Sequence, residues 1–139
     1  MILLDTNVLS ELIGPKVNPK VQDWYISQSA DEIYTSVVTL FEMHFGMMRL
    51  PEGEKRRALV AVLDHLFVGQ FKQRTLSFDE RSARLSAELR ATCCAIGHIM
   101  SVPDAQIAGI AAREGAVLAT RDVNDFKHCG LTLINPWET

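Results

Sequence analysis

Five short apolar runs, "MILL", "IYTSVV", "RTLSF", "AVLAT" and "LTLI", are spaced along the chain with helical patterns between them. No other feature constrains the fold as much. Strands separated by helices do not pair through tight hairpins. They line up in parallel, joined by right-handed crossovers that put helices on both faces of one sheet. "MILL" is apolar at every position, as a strand buried on both faces should be. The predicted class is α/β, an α/β/α sandwich around a central, mainly parallel sheet of four to five strands. At 139 residues the chain has the length of one domain, and residues 1–139 are read as one.

The segments between the runs carry helix signals. "TNVLSELI" reads as a short helix closed by Gly14-Pro15, and Asn18-Pro19 as a cap followed by proline at the first helical position. Val21, Trp24 and Tyr25 are spaced to face a core. From Thr39, "TLFEMHFGMMRL" is helical and apolar, with core packing expected for most of its large side chains; Pro51 and Gly53 break it. The next helix carries Leu59, Val62, Leu63 and Leu66. Asp79 caps a long helix that stops near Gly97, and "PDAQIAGIAARE" ends at Gly115.

In an open parallel sheet, ligands bind at the carboxyl ends of the strands, so an acid at such an end is informative. There are four. Asp5 ends the first run, Glu42 lies in the first turn after the second, Asp104 starts the helix before the fourth, and Asp122 follows the fourth in "ATRD". Brought to one sheet edge, four carboxylates repel and raise one another's pKa values. A hard divalent cation relieves that cost. Mg²⁺ or Mn²⁺ suits an all-oxygen donor set that lacks the His and Cys zinc prefers, and supports phosphodiester hydrolysis. Asp125 stands ready to substitute for Asp122 or support it, while Asn7, Ser36 and Thr120 are placed to orient ligands or metal-bound waters.

Each acid also has a purely structural use. Thr39 to Glu42 fits a capping box, Asp104 suits a helix dipole, and Asp5 and Asp122 each precede a helix they would cap. Two other functions compete with hydrolysis. One is a binding module whose acids serve only the fold. The other is a phosphatase that forms an aspartyl phosphate on Asp5, although position 7 is Asn where that chemistry wants a second Asp.

A net charge of -3 argues against a protein that coats nucleic acid by bulk electrostatics. Cys93, Cys94 and Cys129 include no CxxC pair and suit buried or inert thiols in a reducing compartment. No apolar run is long enough to span a bilayer, and four residues before an aspartate make no signal peptide, so a cytoplasmic protein without a membrane partner is expected.

Together, "LLDTNVLSEL", "TSVVTLFEMHFG", "VPDAQIAGIAA", "LATRDVNDF" and the closing "NPW" resemble, in order, the motifs of PIN-domain ribonucleases. The resemblance is strongest to the VapC-type toxins of toxin-antitoxin pairs, in the FitB-like branch. It implies a PIN-like sandwich, a metal site made by Asp5, Glu42, Asp104 and Asp122 with Thr120 beside it, Mg²⁺ or Mn²⁺ as cofactor, and endonucleolytic cleavage of RNA. It further implies a homodimer and a cognate antitoxin that inhibits the enzyme, binds operator DNA itself and builds a higher assembly. Against that implied partner, the "FEMHFGMM" side chains not needed in the core offer a receptor surface, while Arg49 with Lys55-Arg56-Arg57 read first as a solvated helix face and second as an RNA path.

Overall fold

The computed structural model describes residues 1–139. Its elements, in chain order, are β1 (Ile2–Leu4), α1 (Thr6–Leu12), α2 (Pro19–Ser27), β2 (Ile33–Ser36), α3 (Val37–Met48), α4 (Glu54–Val68), β3 (Thr75–Leu76), α5 (Glu80–Ala95), α6 (Val102–Glu114), β4 (Val117–Ala119), α7 (Val123–Phe126) and β5 (Leu133–Ile134). The sheet runs β3-β2-β1-β4-β5 and every pairing is parallel.

β1 is central because it is apolar on both faces. Leu3 points into a core built from α5, α6 and α7, including Cys93, Ile107, Ile110 and Phe126. Ile2 and Leu4 point the other way, into a core with Val8, Leu9, Trp24, Met43, Leu63 and Phe71. One strand thus feeds two cores, which is what a sandwich requires. Registers of Ile2 against Ile33 and Val117, and of Leu4 against Ala119, bring the carboxyl ends of β1, β2 and β4 to one edge. No helix is long and apolar enough to cross a membrane.

Several boundaries differ from the sequence reading. β2 stops at Ser36, and α3 starts at Val37 instead of Thr39 because the Ser36 hydroxyl accepts the Thr39 amide at 3.2 Å. A serine cap outweighs the β-propensity of Val37-Val38. Thr39 is therefore inside the helix and closes no capping box with Glu42. β3 and β5 shrink to two residues each. Val62 faces solvent at 45% exposure, and Cys94 is exposed while Cys93 and Cys129 are buried. Of the α3 side chains expected mainly in the core, Met43 and Met47 are buried but Phe41, Phe45 and Met48 are not.

Candidate active site

The site is built from β1 outward. Asp5 follows Leu4 directly and is only 4% exposed, in the cap position of α1. One carboxylate oxygen accepts the Thr6 amide at 2.8 Å, and the other accepts the Thr120 hydroxyl at 2.7 Å. Asp5 is thus a cap, as its bland reading proposed, and also a member of a polar cluster. Burial raises its pKa to about 7 against the pull of those two hydrogen bonds, and the charges of Asp104 and Glu42 push the same way.

Asp104 lies in the first turn of α6, whose cap is Ser101; the Ser101 hydroxyl accepts the Asp104 amide at 3.2 Å. Its pKa is also raised, first by burial and then, against Ser101, by the charges of Asp125, Glu42 and Asp122. All five acids singled out by position in the sequence therefore belong to one electrostatic neighbourhood. No arginine or lysine forms an ion pair with any of them.

Glu42, in the second turn of α3, accepts the Thr6 hydroxyl at 2.7 Å. Thr6 in turn stands 3.1 Å from the Thr39 hydroxyl, and Ser36 donates to Thr39 at 3.5 Å. Because Thr6 gives its proton to Glu42, the chain of hydroxyls runs from Ser36 through Thr39 and Thr6 to the carboxylate, each polarising the next. Ser36, expected beside the acids, reaches them only through this chain. Thr6 and Thr39 were not anticipated from the sequence, although Thr6 in "DTN" is separated from Asp5 by no residue.

Asp122 occupies the cap position of α7, yet its side chain makes no capping bond. It accepts from the Asn7 amide group at 3.1 Å instead. Asn7 also donates to the Thr120 hydroxyl at 3.4 Å and accepts the Arg121 amide at 3.3 Å, so it ties the first turn of α1 to the end of β4. Fully buried Thr120 completes the tie by accepting the Asp122 amide at 3.1 Å. Asp125 is exposed, and its carbonyl accepts from His98 Nε2 at 3.1 Å, a contact with no sequence signal.

The donors fit a hard divalent cation: they are carboxylate oxygens, and the most buried one is held at a raised pKa among like charges, the situation a bound cation relieves. In the protein chain alone no three acid, histidine or cysteine side chains converge tightly enough to form a ready-made cage.

The PIN-domain family model matches residues 2–130. Over 99% of both chains, the sequence is 36% identical to the VapC ribonuclease Y4jK of Sinorhizobium fredii and 34% identical to the toxin FitB of Neisseria gonorrhoeae. The crystal structure of FitAcB from Neisseria gonorrhoeae superposes with a TM-score of 0.92 at 34% identity, covering 100% of each chain.

Proposed function

This chain belongs to the PIN-domain family, and from that premise we propose that it is a metal-dependent endoribonuclease, the toxin of a toxin-antitoxin pair, working in the cytoplasm as a single domain over residues 1–139. The observation that carries the reading is Asp5: a carboxylate 4% exposed, with its pKa raised to about 7, facing other acids and no basic partner. Structural acids are normally paired or left in solvent. A buried, unpaired one at a sheet edge fits a place for a cation. The proposed ligands are Asp5, Glu42, Asp104 and Asp122, with Asp125 in support.

Mg²⁺ or Mn²⁺, when bound, supplies a lowered water pKa and neutralises charge on the phosphate. The chain's own residues hold the geometry. Thr6 and Thr120 fix the Asp5 carboxylate, Thr6 fixes Glu42, and Asn7 fixes Asp122. Each of these donors, the Thr6 backbone amide and the Thr6, Thr120 and Asn7 side chains, restrains an acid and leaves its remaining lone pairs for the cation. The phosphatase alternative loses ground here, because position 7, where that chemistry wants a second aspartate, holds Asn7, and its side chain is committed to Asp122 and Thr120.

The partner reading has its own support. Phe41 and Phe45 on α3 stack with ring centroids 6.1 Å apart while remaining 68% and 55% exposed. A large apolar surface of this kind marks a protein interface. Homodimerisation and capture by an antitoxin, with operator DNA bound only through that antitoxin, are the proposed uses.

The reading is tested by removing the antitoxin, stripping the protein with chelator and returning Mn²⁺ or Mg²⁺ over a labelled structured RNA. Cleavage is expected to appear with the metal and to vanish in Asp5→Asn. Metal binding with no cleavage across a broad RNA panel would instead leave a catalytically silent partner-binding module.

A further inference from the structure

Arg121 sits between two site residues, Thr120 and Asp122, yet it forms no ion pair with Asp122, Asp125 or any other acid. Its guanidinium lies over the Trp137 ring, 5.3 Å from the centroid. Its side-chain donors bond to nothing in the protein; only its backbone amide is engaged, by Asn7. Most other arginines are committed differently. Arg56, Arg74 and Arg90 donate to backbone carbonyls, Arg84 to Glu80, and Arg113 to Ser77, Ser82 and Glu114.

An exposed guanidinium beside carboxylates would ordinarily swing onto one of them. Here the ring offers a competing seat. Trp137 is itself anchored: its amide donates to Asn135 Oδ1 at 3.1 Å, and its side chain packs against the core around Leu4 and Val8. The "NPW" segment thus holds a cation beside the acidic cluster, tied to it through Asn7 and Asp122, with its planar fork of donors unused. Stacking on an aromatic face orients that fork while leaving it open, and the natural ligand of an open, oriented guanidinium is an oxyanion bound in bidentate fashion.

We propose that Arg121, seated on Trp137, is the phosphate-binding residue of an RNA subsite flanking the acidic cluster, gripping a backbone phosphate next to the one that is cut. The inference rests on the ribonuclease reading above. A cluster of carboxylates repels the backbone of its own substrate, and a cation beside it offsets that repulsion. Arg121 touches neither the scissile group nor the metal ligands' side chains in this arrangement; it acts on binding.

The test compares wild type, Arg121→Ala and Arg121→Lys. Binding of a labelled single-stranded RNA is followed by anisotropy with chelator present, so that affinity is read without turnover, and cleavage kinetics are followed separately with Mn²⁺. Arg121→Ala is expected to weaken RNA binding about tenfold, the loss of one charge-assisted contact. The slope of log affinity against log salt should become shallower by about 1. KM should rise by a larger factor than kcat falls. Arg121→Lys should keep the salt slope and recover only part of the affinity, since an ammonium has no fork.

If wild type cuts RNA while Arg121→Ala binds it with unchanged affinity and salt slope, the subsite is wrong and the ribonuclease reading stands. If wild type binds RNA without cutting it and Arg121→Ala loses that binding, the subsite stands and the hydrolytic reading falls. Unchanged RNA binding with faster release of the co-purifying protein partner would assign Arg121 to the partner surface and overturn the proposal.

Discussion

At the scale of single residues, Asp5 carries the sharpest consequence. Its carboxyl titrates near 7 in the folded chain against an ordinary value of 3.8, so between those values the folded state holds a proton the unfolded state has released. Stability without metal is therefore greatest at low pH on this account, declines as pH rises through the window from about 4 to about 7, and bottoms out above it, with a total of up to about 4 kcal/mol by linkage. Asp5→Asn cannot ionise. Its urea midpoint in chelator should lose the Asp5 share of that decline, keeping only the share that Asp104 contributes, and exceed wild type at pH 8; a wild-type slope retained in the variant would place the titration elsewhere. Glu42 gives the complementary case. Its hydrogen bond from Thr6 is retained in weaker form in Glu42→Gln, because the amide oxygen still accepts. The variant should fold with an unchanged midpoint and lose at least about 100-fold in cleavage rate, the upper end of what even an outer partner contributes. Cleavage at the wild-type rate would remove Glu42 from the site. That these acids gather in one neighbourhood was legible from one rule, that the carboxyl ends of strands in a parallel sheet share an edge. Thr6 and Thr39 were not, because a hydroxyl's partner depends on which helix start lies opposite, and the start of α3 was misplaced.

At the scale of elements, α5 and α6 pack so closely that their contact has no room for a methyl group. A Cβ at Gly109 would lie 1.9 Å from the Ser86 hydroxyl oxygen, 2.6 Å from the Ser82 carbonyl oxygen and 2.9 Å from the Ser86 amide nitrogen. Two of those three atoms are backbone and cannot rotate away. Gly109→Ala should therefore separate the helices and destabilise the fold by about 3 kcal/mol, at the upper end for overpacking, as read from the urea midpoint. Because α6 also carries Asp104, metal affinity should fall with it. Ser86 offers the opposite sign: its hydroxyl is buried without a partner. Ser86→Ala should be neutral or stabilising by about 1 kcal/mol, and a clear loss of stability would mean that the hydroxyl has a partner in solution. Capping chemistry made the helices readable from sequence, with Asn18, Asp79 and Gly115 closing α2, α5 and α6 where expected. Strand lengths were not readable to the residue. "IYTSVV" is uniformly β-prone, and only the Ser36 hydroxyl decides that its last two valines turn into helix.

At the scale of the whole molecule, the alternation of apolar runs with helices predicted a parallel sandwich, and the two cores on either side of β1 are that sandwich. Periodicity could not say which surplus apolar residues face solvent, because a helix richer in apolar side chains than one buried stripe needs can turn several faces inward with equal ease. In α3 the buried face takes Met43 and Met47, and Phe41, Phe45 and Met48 are left with Val37 and Leu40 along a groove of about 520 Å³. The two aromatics contribute little to the folded monomer, since most of their area is already in water. They contribute to whatever covers them. Replacing both aromatics, Phe41→Ser with Phe45→Ser, should leave the thermal midpoint within a few degrees of wild type, as expected for exposed positions. The same double variant should weaken self-association or antitoxin capture by at least about 100-fold, because stacked aromatics at the centre of an interface act as hot spots. Light scattering on the isolated chain and on the co-expressed complex separates those two outcomes. If both assemblies persist unchanged, α3 is an idle surface and the partner must engage the chain elsewhere.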